Sequence, residues 1–275
     1  MPEGDTVWQT ARRLDEALAG RPLARADFRV PQLATDRLAG WRVAGAVSRG
    51  KHLLLRLHPP AAESAEGTGA EGTEGGYSLH SHLRMDGAWR LYRPGQRWTG
   101  GPAHQIRVVL HGASAVAVGY HLHDVALVPT AREDTLVGHL GPDLLAVDFD
   151  AAEALRRLRA APGALAVDAL RDQRNLAGIG NVYAAELLFL HGVPPDAPLT
   201  AVPDLPALVA DARRLLLANR DRRRSTTGSR RPDELTFVYG RRGRPCHRCG
   251  TPVRQGAHGD RVSYWCPRCQ PPAGS

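Results

Sequence analysis

Four cysteines near the end of the chain constrain its fold more than any other feature. They form two Cys-x-x-Cys pairs separated by 16 residues: Cys246, Cys249, Cys266 and Cys269. This spacing is typical of two knuckles whose four thiolates surround one zinc ion, and it disfavours a disulfide framework. Residues 251–265 between the pairs predict a strand, a turn at residues 256–260 and a second strand. We therefore expect a zinc ribbon with one structural zinc, because four cysteines leave no open coordination position.

The first half of the chain predicts a leading helix followed by a β domain. Residues 6–19 place apolar side chains on one helical face and end at Gly20. Short alternating or apolar runs then predict strands at residues 41–47, 52–57, 77–92, 105–110 and 115–121. Residues 59–76 are rich in Gly, Ala, Glu and Thr, and they predict a surface loop without a functional role.

The second half has helical periodicity. It predicts helices at residues 151–160, 164–171, 181–191 and 205–219. The expected fold class is α+β with several domains, since a chain of 275 residues exceeds the usual size of one domain. We expect an N-terminal domain over residues 1–130, a helical domain over residues 131–238 and the zinc ribbon over residues 239–275.

The charge of the chain indicates a polyanionic partner. The formal net charge is +8, and arginines that neutralise phosphates gain affinity by releasing counterions. Residues 213–244 carry eleven arginines, which indicates either phosphate contact or a solvated charged surface. No apolar run reaches the ~18 residues needed to cross a bilayer, and no signal peptide is evident. We expect a cytoplasmic protein without membrane association.

Lys51 is the only lysine among 36 basic residues. An amine can lose its proton and act as a base or a nucleophile, whereas a guanidinium effectively cannot. Lys51 is therefore a candidate for chemistry. The alternative is that one lysine escaped a composition biased towards arginine.

A Gly-Ile-Gly-Asn turn at residues 178–181 is the second candidate site. Asn181 is expected to cap the following helix, leaving backbone N–H groups suited to bind a phosphate. A purely structural turn is the alternative, because turns of this type are common.

Several collinear motifs together resemble the Fpg/Nei family of DNA glycosylase/AP lyases. They are Met-Pro-Glu-Gly-Asp at residues 1–5, Ser-Arg-Gly-Lys-His-Leu-Leu at residues 48–54, the turn at residues 178–181 and the terminal ribbon. The resemblance implies a β-sandwich N-terminal domain, a helix-two-turns-helix domain and a zinc finger. It also implies a bifunctional glycosylase/AP lyase of base excision repair that acts on damaged double-stranded DNA.

The resemblance makes Pro2 the nucleophile once Met1 is removed. A free α-amine has a pKa of ~7.7 to 8, so an appreciable fraction is neutral at neutral pH. Attack of this amine on the anomeric carbon would expel the base and leave an iminium that permits strand cleavage by elimination. Glu3 would be the acid that protonates the opening sugar or the departing base.

The resemblance also assigns roles to residues far from the N-terminus. Lys51 would contact phosphate and sugar near the lesion and assist elimination, and Arg261 would grip phosphates around the extruded nucleotide. Asn181 would contact the backbone phosphate. Met85, with Arg84 beside it, would fill the gap left by the extruded base. A methionine in the core of the β domain is the alternative for Met85.

Two departures from the formamidopyrimidine branch favour the endonuclease VIII branch, and hence oxidised pyrimidines. Residues 4–7 read Gly-Asp-Thr-Val instead of continuing with Leu-Pro-Glu, and residues 119–124 replace the segment that wedges the opposite strand. The alternatives are a formamidopyrimidine/8-oxoguanine glycosylase and a non-catalytic zinc-ribbon DNA-binding protein. One complete site per chain suggests a monomer, associated with the nucleoid through DNA.

Overall fold

The computed structural model describes residues 1–35, 38–60, 76–258 and 261–272. Its helices are α1 (Gly4–Leu18), α2 (Asp134–Val137), α3 (Ala151–Arg159), α4 (Ala166–Arg171), α5 (Asn181–Leu190) and α6 (Leu205–Asn219). Its strands are β1 (Leu23–Phe28), β2 (Arg42–Arg49), β3 (His52–His58), β4 (Tyr77–His82), β5 (Ala88–Tyr92), β6 (Ile106–Gly112), β7 (Val116–Tyr120), β8 (Asp124–Pro129), β9 (Arg254–His258) and β10 (Arg261–Trp265). The chain divides into two compact units, residues 1–2 with 6–139 and residues 3–5 with 140–275.

The first unit is a β-sandwich with a leading helix. One antiparallel sheet has the strand order β1-β6-β7-β5 and the other has the order β2-β3-β4-β8. The main apolar core of this unit draws on both sheets, and the buried face of α1 joins it. That face consists of the side chains that the helical period predicts: Val7, Ala11, Leu14 and Leu18. The predicted leading helix and β domain are confirmed.

Sequence periodicity missed two strands, β1 and β8. In β1 only the two end residues are buried, because the middle of the strand faces solvent and carries Arg25 and Asp27. β8 pairs with β4 along its full length. The run predicted at residues 77–92 contains two strands, β4 and β5, which belong to different sheets and are joined by a turn. The apolar pattern of this run therefore does not reveal that the chain passes from one sheet to the other.

The second unit is helical and carries the ribbon. Helix α5 lies at its centre, with every residue from Asn181 to Phe189 buried, and it packs against α4, α6 and β10. The amide groups at the start of α3 and α6 are capped by Asp150 and Asp204. The four predicted helices are confirmed. Among the described residues, no helix has both the length and the apolar character required to cross a bilayer.

The ribbon is the antiparallel pair β9–β10. The turn is shorter than residues 256–260, because Gly256 belongs to β9 and pairs with Ser263. A Cβ atom on Gly256 would lie 3.1 Å from the ring of Trp265, so close packing on the hairpin accounts for this glycine. Residues 259–260 lie outside the described residues. So do residues 61–75, which make up most of the predicted surface loop.

Candidate functional site

The carboxylate of Glu3 lies at the N-terminus of helix α5. The backbone N–H groups of Gly180 and Val182 donate to it, with N···O distances of 2.8 and 2.7 Å, and Tyr183 N–H adds a longer bond of 3.3 Å. Glu3 is fully buried. The positive end of a helix attracts negative charge, so this arrangement fixes the side chain that directly follows Pro2.

The expectation that Asn181 caps helix α5 is wrong. The N-cap residue is Gly180, and no side chain of the helix itself caps it. The N–H groups that were expected to bind a phosphate donate to Glu3 instead. A Cβ atom on Gly180 would lie 2.6 Å from Cδ of Glu3, which explains why glycine occupies this position. The prediction of free donors at this turn is wrong, because their acceptor, Glu3, lies far away in the sequence and could not be identified locally.

A buried polar network lies beside Glu3 in the same unit. Arg224 forms a bidentate ion pair with Asp5, whose side chain also accepts the hydroxyl hydrogen of Tyr183 at 2.9 Å. Burial alone would lower the pKa of Arg224, but the hydrogen bonds to Asp5 raise it above its usual range. Asn219 donates to the hydroxyl oxygen of Tyr183 at 3.0 Å. Arg224, one of the arginines in the basic run, is therefore part of a buried network.

Asn181 connects helix α5 to the ribbon. Its side-chain nitrogen donates to the carbonyl oxygen of Val262 at 2.6 Å, and its oxygen accepts a bond from Arg171 at 2.9 Å. Val262 follows Arg261, which is exposed at the start of β10. The structure thus places Asn181 in contact with the start of β10, the strand that carries Arg261.

Glu186 is a second buried acid that the sequence did not reveal. It accepts backbone N–H bonds from Phe237, Val238 and Tyr239 at 2.7 to 2.9 Å, and a hydroxyl bond from Thr226. Burial raises the pKa of Glu186, while these donors oppose the shift. The acid fixes the segment that leads into the ribbon.

The four cysteines fit one zinc ion. Their sulfur atoms all lie within 4.8 Å of one another, and within the described ranges no other such group of potential ligands occurs. The Sγ atoms of Cys249 and Cys266 are 3.5 Å apart, and those of Cys246 and Cys269 are 3.9 Å apart. With Zn–S bonds of ~2.3 Å, tetrahedral coordination needs sulfur separations of ~3.8 Å. The cysteines therefore form a structural zinc site.

In the first unit, Lys51 occupies the turn between β2 and β3. Gly50 before it has φ of +56°, a conformation that favours glycine. Lys51 is half-buried and raises the local positive potential, which helps to lower the pKa of His82. The predicted position of Lys51, directly before a strand, is confirmed.

A cluster of histidines lies next to Lys51, and sequence analysis missed it. Nδ1 of His52 is 2.8 Å from Nε2 of His80, and the rings of His82 and His139 pack on His52 with centroids at 5.0 and 5.9 Å. Burial, then the neighbouring His82 and His80, lower the pKa of His52 to about 3. Burial also lowers the pKa of His82 to about 4. His52 and His82 are therefore uncharged at neutral pH.

Met85 lies at the tip of the turn between β4 and β5 and is 64% exposed. The alternative of a core methionine is therefore excluded. Arg84 precedes it and forms an ion pair with Asp124 at 2.8 Å. Met85 is one of several large apolar side chains exposed in the described part of the chain.

Comparisons with known proteins identify relatives along the whole chain. Residues 1–124 match the formamidopyrimidine-DNA glycosylase N-terminal domain, and residues 243–272 match the zinc finger found in FPG and IleRS. The probable endonuclease 8 2 of Streptomyces coelicolor is 55% identical over 280 residues, covering 98% of this chain and 94% of that protein. The DNA-(apurinic or apyrimidinic site) lyase Nei2 of Mycolicibacterium smegmatis is 42% identical over 271 residues, covering 98% and 99%.

A solved structure agrees with the architecture. The Fpg of Lactococcus lactis, in complex with DNA containing an abasic site, superposes with a TM-score of 0.76 over 98% of this chain and 100% of that chain. The sequence identity is 22%, so this likeness supports the fold.

Proposed function

The chain belongs to the Fpg/Nei family of DNA glycosylases with AP lyase activity, and we propose that Pro2 is its nucleophile. The enzyme acts in base excision repair and binds DNA. The observation that carries the proposal is the anchoring of Glu3 by Gly180 and Val182. It fixes the backbone directly after Pro2, so the position of the attacking amine is defined before DNA arrives.

The proposed reaction begins after removal of Met1. The lone pair of the Pro2 nitrogen attacks C1′ of the damaged nucleotide, and the glycosidic bond breaks, with its electron pair leaving on the base. The Pro2 nitrogen passes its proton to the carboxylate of Glu3, and Glu3 then protonates O4′ as the C1′–O4′ bond breaks, or the departing base. The product is an iminium between C1′ and the proline nitrogen, which acidifies the proton on C2′.

Strand cleavage follows from this iminium. Loss of the C2′ proton forms a C2′–C3′ double bond and breaks the C3′–O bond, so the 3′ phosphate leaves with that electron pair. Water then hydrolyses the iminium and restores the amine of Pro2. We propose that Lys51 contacts phosphate and sugar at the lesion and assists this elimination, as a point charge at the start of β3.

The remaining roles concern DNA contacts. We propose that Arg261, held on the zinc ribbon, and Asn181 contact the phosphates of the damaged strand. Met85, with Arg84 beside it, fills the gap left by the extruded base, which costs a few kcal/mol in lost stacking. Exposure of Met85 on an ordered turn supports this role.

We also propose a preference for oxidised pyrimidines. The residues that depart from the formamidopyrimidine branch support it, as does the extended similarity to a relative named endonuclease 8. The enzyme would act as a monomer in the cytoplasm, on damaged double-stranded DNA. The division at residues 130 and 238 into catalytic, DNA-binding and zinc-ribbon domains is part of the same proposal.

A panel of duplexes tests these assignments. Each duplex carries one thymine glycol, 5-hydroxyuracil or 8-oxoguanine, and borohydride is added to trap the iminium. We expect covalent adducts on both pyrimidine lesions and a weaker adduct on 8-oxoguanine. An uncleavable N-terminal extension should abolish every adduct. No trap on any lesion or abasic site would overturn the chemistry, and cleavage of the purine lesion alone would overturn the preference.

A further inference from the structure

Two neighbouring turns of the first unit hold residues in a rarely populated backbone conformation. Arg84, in the turn between β4 and β5, has φ of +49°, and His121, after β7, has φ of +48°. For residues other than glycine such a conformation is energetically unfavourable, and it persists only where surrounding contacts impose it. The contacts that impose it are therefore informative.

Asp86 links the two turns. Its Oδ1 atom lies 2.9 Å from Nε2 of His123, and its Oδ2 atom lies 3.5 Å from Nδ1 of His121. A carboxylate oxygen at 2.9 Å requires a proton on the facing ring nitrogen of His123. The hydrogen bond from His123 lowers the pKa of Asp86, which keeps the carboxylate charged at neutral pH.

A second link runs in the opposite direction. The guanidinium of Arg84 binds both oxygens of Asp124, at 2.8 and 3.2 Å, and its backbone N–H donates to Nδ1 of His82 at 3.0 Å. The backbones also touch, because a Cβ atom on Gly87 would lie 2.9 Å from the carbonyl oxygen of His121. Asp86 thus accepts from His123, and Asp124 accepts from Arg84.

Met85 lies between the two linked residues, Arg84 and Asp86. Both of its neighbours are bound to the β7–β8 turn, yet its own side chain is exposed. Ordering a residue of a free loop costs conformational entropy. A plug carried on a turn that is already ordered avoids this cost when it enters the duplex.

We propose that Asp86, His121 and His123 are positioning residues for base extrusion. They hold the Met85 turn against the β7–β8 turn, so that Met85 is presented for insertion as the damaged nucleotide leaves the stack. This inference rests on the proposed function, since it requires Met85 to fill the gap. Residues 121–123 lack the wedge of the formamidopyrimidine branch. Through their contacts with Asp86 they would instead hold the Met85 turn.

A positioning role differs measurably from a structural one. Exposed ion pairs contribute little to folding stability, and Asp86 and His123 are both exposed. Removing their contact should therefore leave the thermal unfolding temperature unchanged. It should slow only those reactions that require a gap in a duplex to be filled.

The experiment compares four full-length variants with the wild type: Asp86→Ala, His123→Leu, His123→Gln and Asp27→Ala. Gln retains an N–H donor at position 123, and Asp27 forms an exposed pair with Arg29 on β1, outside both turns. Single-turnover release of 5-hydroxyuracil is measured in a duplex. Borohydride trapping is measured on a single-stranded abasic site, which needs neither extrusion nor a plug.

Asp86→Ala and His123→Leu should slow release from the duplex roughly two- to fivefold, the range that the loss of an exposed ion pair allows, with single-strand trapping unchanged. His123→Gln should retain most of the rate, and Asp27→Ala should match the wild type. Equal losses on both substrates, or an unchanged duplex rate in Asp86→Ala, would overturn the inference. Failure of the wild type to trap the abasic site would instead refute the proposed nucleophile.

Discussion

Oε1 of Glu3 lies 2.7 Å from the backbone nitrogen of Val182, although 179 positions separate the two residues in the chain. The first turn of α5 is thus closed by an acid from the N-terminus of the protein. Because these backbone N–H groups at the start of the helix already donate to an internal carboxylate, they are not available to bind an external anion. The contact assigns the Gly-Ile-Gly-Asn turn to positioning Glu3.

Gly180→Ala tests this contact. The added Cβ would lie 2.6 Å from Cδ of Glu3, so the carboxylate must leave the helix terminus. We expect base excision to fall by roughly a hundredfold, measured under single-turnover conditions on a thymine glycol duplex. Gly163→Ala is the matched control, because no atom lies within 4 Å of its added Cβ. Wild-type excision by Gly180→Ala would show that the Glu3 contact is dispensable.

The lone lysine and the N-terminal proline can be distinguished by trapping. Lys51→Ala should still form a borohydride adduct at a preformed abasic site, at a reduced rate, because Pro2 remains available. Lys51→Arg should restore charge without a compact amine. An N-terminal extension should abolish the adduct. The assignment reverses if Lys51→Ala erases the adduct and the extended protein keeps it.

The histidine cluster predicts acid sensitivity of the first unit. The folded-state pKa values of His52 and His82, about 3 and about 4, lie below the ~6.5 of an unfolded chain. As pH falls below ~6.5, the unfolded chain therefore binds protons that the folded chain rejects, and the free energy of unfolding decreases until pH nears 4. We expect a loss of up to about 5 kcal/mol between pH 7 and pH 4.5, because each of the two sites rejects a proton over about two pH units.

Urea unfolding followed by tryptophan fluorescence measures this loss. Trp41 and Trp89 are buried in the core of the first unit, and Trp265→Phe removes the tryptophan of the ribbon. His52→Gln should weaken the pH dependence, because glutamine stays neutral, whereas the exposed His104→Ala should retain it. If the free energy of unfolding depended on pH equally in the two variants, the histidine cluster would not be the cause of the acid sensitivity.

The arginine run should separate into structural and DNA-binding members. Arg224→Ala leaves Asp5 buried without its ion-pair partner, and we expect a loss of about 3 to 5 kcal/mol in unfolding free energy. Arg230 is exposed, so Arg230→Ala should leave stability unchanged and reduce the salt dependence of DNA binding by about one unit of slope. If Arg230→Ala bound DNA with the same salt dependence as the wild type, a phosphate contact by Arg230 would be excluded.

Zinc removal should act on DNA binding through the ribbon. Metal analysis should find one zinc per chain, and a chelator or Cys266→Ser should release it. The hairpin that carries Arg261 then loses the ion that organises it, and we expect the Kd for damaged duplex to rise at least ~tenfold, or ~1.4 kcal/mol. Fluorescence of Trp41 and Trp89 should not change. Full affinity without zinc would contradict this role of the ribbon.

Local pattern was sufficient for some features and insufficient for others. The Cys-x-x-Cys pairs and the helical period of α1 carry their information within short stretches, so the ribbon and the leading helix could be predicted. The histidine cluster could not, because His52 and His80 come together only through the register of β3 with β4. For the same reason, local sequence could not identify Glu3 as the acceptor of the Gly180 N–H group, because the two residues lie far apart in the sequence.

Contacts of Glu3 and Asp5 also set an order of events during synthesis. Glu3 leaves the ribosome 179 residues before its partner Val182, and Asp5 leaves it 219 residues before Arg224. The β-sandwich can fold from residues made early, but the Pro2–Glu3 segment stays unanchored until the helical part is complete. A nascent chain that has not yet reached Arg224 would therefore carry the proposed nucleophile without the framework that directs it, and we expect no strand cleavage by such a chain.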